Sequence, residues 1–506
     1  MTIRLRGEML RDSWALTLSL SAGAGLVAGF FFLEIRRRRR EKHPLGNLGT
    51  AHPSAALYSA VYLDYNATTP IWPEVKSVME PYTLHCFGNP SSPHVFAAPC
   101  REAVAKARHL VAELINATSD DTIVFTGCGT ESDNMAIRLA LQQQHSPSKT
   151  MLPHVVTCAV EHPAVLLYLK DLEKSGEAEV TVLPVDAQGF VSPVDVQRAL
   201  QPNTCLVTIM HSNNEVGTVQ PIKEIARVVR AFNSSNASSS SSSSSFRRVL
   251  LHTDAAQSLG KLAVDVEVLG VDMLTIVGHK FGAPKGVAAL YVRDSPLAGA
   301  RSSSPLLIGG GQERGRRSGT ENVLLIAALG EASRIAKEEG SQTLLRMLTL
   351  KQRIIKQLLA ALAKVGVDQA AVRFNGPRRS VDVAEIATDL ALLRVMLAGF
   401  GGAAAGDAHP PVRLDLDQLP NTLSVSFRSV LAHALMPLLA DKVACSAGSA
   451  CHSEQTTVSP VLRAMHVPED FALGTLRLSW GRHTTEAEID IAAKHIAQAV
   501  ASLRAR

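Results

Sequence analysis

Two apolar runs, each breaking into a charged residue at its carboxyl end, constrain this chain more than any other feature. The first is Arg248-Val-Leu-Leu-His-Thr-Asp254, followed by Ala255, Ala256 and Gln257. The second is Val271-Asp-Met-Leu-Thr-Ile-Val277, followed by Gly278, His279, Lys280 and Phe281. Short apolar runs that give way to glycine and polar residues are the pattern of buried parallel strands. In open α/β sheets, ligands bind beyond the carboxyl ends of the strands, where Asp254 and Lys280 would stand. A lysine and an aspartate so placed suit pyridoxal phosphate (PLP), which needs an amine for its Schiff base and a carboxylate against its pyridinium nitrogen. Taken alone, the pair fits equally a surface lysine and an aspartate capping a helix.

Strand and helix signals alternate from Val61 to about residue 335, as in a doubly wound α/β domain. Further strands are expected over Thr122 to Thr126, His154 to Ala159, Glu179 to Pro184 and Thr204 to Met210. The almost pure serine run Ser234 to Ser245 cannot bury a core and is expected to be a disordered surface insertion. Helix-rich sequence from Glu331 to Ala363 leads into a smaller C-terminal domain, within which Gly399 to Pro411 has the composition of a loop. Thr485 and Glu488 make a capping box for a final helix whose inner side carries Ile489, Ala492, Ile496 and Val500.

The N-terminus differs from the rest. Residues 1–42 hold nine Lys/Arg and four Asp/Glu, which accounts for the whole net charge of +5. The remainder is balanced, so nucleic acid is not indicated as a partner. Ser13 to Leu33 is uncharged and would span ~31 Å as a helix, enough for a bilayer core. Trp14 stands near one end, and the cluster Arg36 to Arg40 exceeds Arg4, Arg6 and Arg11. The expectation is a single-pass membrane anchor with the catalytic part on the cytosolic side. The rival is an organelle-targeting segment, for a mitochondrion or plastid, since these residues are basic and poor in acids. Residues 41–60 have linker composition. Seven cysteines without a CxxC pair indicate reduced thiols, and no metal site is expected.

From Tyr62 to Thr485 the chain resembles the class V aminotransferase family, specifically its cysteine desulfurases and selenocysteine lyases. The resemblance is carried by Leu63-Asp-Tyr-Asn-Ala-Thr-Thr-Pro70, Gly88-Asn-Pro-Ser-Ser-Pro-His94, Phe125-Thr-Gly-Cys-Gly-Thr-Glu-Ser132, Glu161-His162 and Asn213-Asn-Glu-Val-Gly217. It continues in His252 to Gln257, Gly278-His-Lys280, Gly309 to Thr320 and Ser446-Ala-Gly-Ser-Ala-Cys451. It implies PLP-dependent transferase fold type I, with a large doubly wound α/β domain over 61–335. A smaller C-terminal α+β domain would follow over 336–506. The resemblance leaves out residues 1–60, expected from their composition to form the anchor (helix about 13–33) and linker.

The resemblance also implies roles. Lys280 would bond the cofactor, and Asp254 would hold its ring nitrogen. Gly129 and Thr130, at a helix start suited to a dianion, would take the phosphate with His279. Thr320 would reach the phosphate of a neighbouring subunit, which implies a homodimer. His162 would lie against the ring and relay protons; without Glu161 beside it, it would read as structural. Gln257 and Asn214 would bond the phenolic oxygen, Asn214 also serving the substrate carboxylate. Arg477 would grip that carboxylate with its planar fork. Cys451, in a small-residue loop able to swing, would attack the substrate's sulfur or selenium, with His452 lowering its pKa. Cys205 reads as structural and Cys445 as a bystander. Many desulfurases carry serine where Val277 stands.

The implied activity is PLP-dependent cysteine desulfuration. L-cysteine would become L-alanine, and sulfur would pass to an enzyme persulfide and on to an acceptor protein for iron–sulfur cluster or thio-cofactor synthesis. The alternative is selenocysteine lyase, acting on L-selenocysteine. Cys451-His-Ser453, Thr275 to Phe281 and Thr320-Glu-Asn322 resemble the lyases, while Ser446 to Cys451 and Pro284-Lys-Gly286 resemble the desulfurases.

Overall fold

The computed structural model describes residues 59–143, 151–239, 248–293, 306–377, 416–447 and 457–505. The first strand, β1 (Val61–Tyr62), stands apart from those that follow it. Seven strands form the main sheet: β2 (Ile123–Thr126), β3 (His154–Cys158), β4 (Glu179–Leu183), β5 (Thr204–Thr208), β6 (Leu250–Asp254), β7 (Met273–Val277) and β8 (Ala288–Val292). Their order is β2-β8-β7-β6-β5-β3-β4. All the expected strands form, each within a few residues of its expected end.

Every residue of β2, β3 and β5 to β8 is buried. That explains their near-continuous apolar sequence, since a sheet covered on both faces has no polar side. Val124, Val155, Leu206, Leu250 and Leu290 belong to one core. Phe125, Val156, Val207, Leu251 and Tyr291, one position further along each strand, belong to the other. Helices Gly129–Gln143 and Pro163–Lys174 cover the first face; Ala98–Leu114, Ile222–Ser239 and Val323–Glu338 cover the second. The doubly wound expectation holds, with one strand reversed. β8 runs antiparallel to β2 and β7. Only residues 278–287 join β7 to β8, too few for a parallel crossover of a dozen or more. The chain therefore turns back, and Lys280 lies in that turn.

A second sheet, antiparallel, is built from β9 (Val372–Asn375), β10 (Thr422–Phe427), β12 (Ser446–Ala447) and β13 (Thr475–Ser479), in the order β12-β13-β10-β9. β1 pairs with β11 (Val443–Ala444), so Val61 and Leu63 join this second core although they precede the main sheet in sequence. Helices Val323–Glu338 and Gly340–Lys364 diverge at Glu339: the first packs on Ala98–Leu114, the second on the final helix Glu486–Arg504. The final helix begins as expected. Thr485 N donates to Glu488 Oε2 (2.7 Å), and Glu488 N donates to Thr485 Oγ1 (3.2 Å). Ile489, Ala492, Ile496 and Val500 are all buried.

Two expectations are corrected. Ser234 to Ser239 continues the helix that begins at Ile222. Serine is only mildly unfavourable in a helix, and a turn already propagating extends at little cost; the rest of the run lies outside the described residues. The membrane anchor and the cytosolic-side orientation are withdrawn. Among the described residues no helix is long and apolar enough to cross a membrane. Ser13 to Leu33 and Arg36 to Arg40 lie outside the described residues, as do Gly399 to Pro411. Freedom from charge is a weaker criterion than sustained apolarity, and Thr17, Ser19, Ser21, Gly23, Gly25 and Gly29 dilute that stretch.

Candidate active site

β6 and β7 are parallel neighbours, with Asp254 opposite Thr275. Asp254 and the turn Gly278–Lys280 therefore emerge at one sheet edge. Asp254 is 7% exposed, and its Oδ1 accepts Ala256 N (2.8 Å). Burial raises its pKa above the ordinary carboxylate range, while the Ala256 N–H, His162 and Lys280 pull it back. Two more buried carboxyls lie within its field. Burial, then Asp254, pushes Asp133 well up. Burial lifts Glu161 to about 8, against the pull of Met210 N–H.

Lys280 Nζ donates to the main-chain carbonyls of Asn66 (2.7 Å) and Ala67 (2.9 Å). That turn is laced to the lysine turn by Thr69 N and Oγ1, both donating to His279 O (2.9 and 3.1 Å). Two residues after Lys280, Gly282 has φ +88° and packs its backbone on Trp72, where a Cβ would stand 2.1 Å from the indole. Only glycine meets both demands.

His162 caps helix Pro163–Lys174, its Nδ1 accepting Ala164 N (3.2 Å). Burial lowers its pKa. A neutral ring whose Nδ1 accepts carries its proton on Nε2, so Nε2 is the donor of the pair and Nδ1 holds the basic lone pair. His279 is pushed down to about 4 by burial and the lysines around it; its Nδ1 lies 3.2 Å from Thr68 Oγ1. Gln257 Nε2 donates to Asn66 O (3.0 Å).

Arg477 approaches from β13. Its Nη2 donates to Asp64 Oδ1 (2.8 Å) and Ser446 Oγ (3.0 Å), and its Nη1 to Asn214 O (3.2 Å). Its Nε is buried and has no hydrogen-bond partner among the described residues. A guanidinium held on one side with a donor to spare is set up to receive an anion. The structure thus brings together Lys280, Asp254, His162, His279, Gln257, Asn214 and Arg477.

Gly129 and Thr130 open a 15-residue helix directly after β2. A Cβ on Gly129 would stand 2.5 Å from Val277 Cγ2, so Val277 forms the floor there. Thr320 is exposed and lines a cavity of about 260 Å³ with Thr126, Gly127 and Arg317. Cys451 and His452 lie outside the described residues; β12, which leads towards them, is described up to Ala447. Cys445 is buried, and burial pushes its thiol up to about 12, an inert state. Cys205 is likewise buried and raised to about 12.

Asn66, Lys261 and Asp64 had no role assigned from sequence. Lys261 is buried, donates to Gln257 Oε1 (3.0 Å), and is depressed well below the usual lysine value by burial and by Lys280. The available signal was the string of polar residues right after the apolar Val61 to Leu63, in a stretch otherwise seen only as a motif.

Residues 61–390 match the model of the family described as aminotransferase class-V, and the chain belongs to that family. It is 36% identical to the cysteine desulfurase IscS of Dictyoglomus turgidum, over 88% of this chain and 95% of that protein. It is 37% identical to the selenocysteine lyase of Bos taurus, over 88% of this chain and 94% of that one. A solved structure of SspA in complex with cysteine matches with a TM-score of 0.61 at 31% identity, covering 84% of this chain and 100% of that chain.

Proposed function

We propose that this chain is a PLP-dependent cysteine desulfurase, converting L-cysteine to L-alanine and taking the sulfur onto Cys451. The observation that carries the reading is an amine, Lys280, and a buried carboxylate, Asp254, at adjacent parallel strand ends, joined through Asn66 and Asn214 to an arginine whose Nε has no hydrogen-bond partner among the described residues. The residues fit PLP. Lys280 would bond it, Asp254 hold its ring nitrogen, His162 flank the ring and Gln257 serve its phenolic oxygen. Gly129, Thr130 and His279 would take the phosphate, with Thr320 contributed by a second subunit. When bound, PLP acidifies the amino acid's α-carbon and stores the electron pair released there.

The protein's own residues do the remainder. Arg477, with Asn214, fixes the substrate carboxylate. Lys280, with His162 as a relay, would move protons between the α- and β-carbons. The Cys451 thiolate attacks the substrate sulfur: an S–S bond forms, the C–S bond breaks, and its electron pair stays with the three-carbon product, which becomes alanine after protonation. The persulfide then serves an acceptor protein in iron–sulfur cluster or thio-cofactor synthesis. Residues 61–335 would hold the cofactor, and 336–506 would bring Arg477 and Cys451. A homodimer is supported by the exposed cluster Leu84, Phe87, Val95 and Phe96, in which Phe87 and Phe96 stack at 6.0 Å. The same site would accept L-selenocysteine, and the 37% identity to a selenocysteine lyase keeps that second substrate in play.

The test is one turnover with cysteine, followed by mass spectrometry of the protein and an alanine assay. Wild type is expected to gain one sulfur on Cys451, and Cys451→Ser to bind PLP yet release no alanine. Full alanine production by the variant would remove Cys451 from the mechanism. Sulfide and selenide release from the two amino acids, run side by side, assigns the preferred substrate.

A further inference from the structure

Asn66 is 1% exposed and meets both halves of the site. Its carbonyl accepts Lys280 Nζ (2.7 Å) and Gln257 Nε2 (3.0 Å). Its Nδ2 donates to Asn214 O (3.1 Å) and Thr422 Oγ1 (2.8 Å). Its Oδ1 accepts Asn421 Nδ2 (3.2 Å) and Lys261 Nζ (3.5 Å), and its N–H donates to Ser479 Oγ (2.9 Å). Asn214 O, which receives the Asn66 amide, also receives Arg477 Nη1 (3.2 Å). One residue therefore spans the lysine turn of the main sheet, through its carbonyl, and the second sheet, through its N–H at Ser479 in β13 and its carboxamide at Thr422 in β10.

We propose that Asn66 is a positioning residue that couples the reactive lysine to the substrate-carboxylate arginine. Its carbonyl and that of Ala67 form the seat of the Lys280 amine whenever that amine is not bonded to cofactor. Its carboxamide pins this seat, through Asn214 O, to the atom that orients the Arg477 fork. A carboxamide is the group this position requires. It donates twice on one side and accepts twice on the other; aspartate would lose both donors, and an apolar residue would leave Asn214 O and Thr422 Oγ1 short of a partner in a buried site. Lys261 sets the polarity of the arrangement. Donating to Asn66 Oδ1 and Gln257 Oε1, it leaves the Gln257 amide nitrogen to Asn66 O and the Asn66 amide nitrogen to Asn214 O and Thr422 Oγ1.

The inference rests on the PLP reading, and the experiment separates the two. Wild-type protein is first loaded with PLP, reduced with borohydride and digested. Cofactor found anywhere but Lys280 defeats the functional reading, not this one. With that established, cofactor-free wild type and Asn66→Ala are acetylated, and the ratio of Lys280 to the exposed Lys285 is read by peptide mass spectrometry. Removing the pin frees the seat, so the ratio is expected to change about fivefold, the weight of one hydrogen bond. In loaded enzyme the KM for cysteine should rise by about the same factor. Arg477→Lys should then cost less on the Asn66→Ala background than on wild type, because the two act through one atom. Should Asn66→Ala not fold, Thr422→Val loosens the same amide and must shift both readouts in the same direction. An unchanged acetylation ratio, or Asn66 and Arg477 effects that simply multiply, overturns the proposal.

Discussion

Arg477→Lys tests the site most directly, because the structure shows what is retained and what is lost. Arg477 is 5% exposed and spends Nη2 on Asp64 and Ser446 and Nη1 on Asn214 O, keeping Nε in reserve. Lysine preserves the charge and can keep the ion pair with Asp64. Its ammonium lacks a planar fork and cannot present two parallel N–H groups to a second carboxylate. The substrate should lose one charge-assisted hydrogen bond, worth about 1.5–3 kcal/mol. With a tenfold change for every ~1.4 kcal/mol, kcat/KM for cysteine should fall by about 10- to 150-fold. The loss should lie mainly in KM, since the carboxylate is gripped equally before and during reaction. Alanine formation against cysteine concentration gives both constants, and absorbance gives PLP content, which should not change. If Arg477 serves only to pair with Asp64, a pair lysine can keep, the variant would leave KM alone. A KM within about twofold of wild type would refute the carboxylate role.

Two further substitutions probe the floor and the acid cluster. Gly129→Ala places a methyl 2.5 Å from Val277 Cγ2, an overpacking worth ~1–3 kcal/mol. It should lower the thermal midpoint and PLP retention, and Val277→Ala on that background should recover most of both; strictly additive losses would contradict the contact. Glu161, raised to about 8 by burial, holds its proton more tightly folded than unfolded. Its contribution is therefore full below the ordinary carboxylate value and is lost as pH climbs through about 8. Glu161→Gln keeps an acceptor for Met210 N and has no proton to lose. Relative to the variant, wild type should lose on the order of a few kcal/mol between about pH 5 and about pH 9 in urea unfolding. A constant difference across that range would show that Glu161 does not titrate there.

The part of the site on the main sheet was legible because its strands are buried on both faces. Such strands are largely apolar, so a charged residue at the end of one marks the exit from the sheet, and Asp254 and Lys280 stand at two such exits. The direction of β8 was also implicit in the short connection after β7, although a reading by alternation alone treats every strand as parallel. The start of the chain misled in the opposite sense. Absence of charge over Ser13 to Leu33 was given the weight that only sustained apolarity carries.

What could not be read was the network joining the two sheets, and the reason is sequence distance. Asn66 meets Asn421 and Thr422 on one side and Ser479 on another, separations of several hundred residues. No periodicity or spacing relates positions so far apart; only the pairing of β1 with β11, and the bridge from Asp64 to Ser479, bring them together. That same pairing explains why the arginine and the lysine can act as one site. The segment 61–69 begins as a strand of the second core, accepts Arg477 at Asp64, and ends by seating Lys280 at Asn66 and Ala67. A displacement of either core relative to the other would have to break this segment's hydrogen bonds at one end or the other. Under the proposed function, the residues that would take the substrate's carboxylate and its amine are thereby held to a common frame by nine residues of chain.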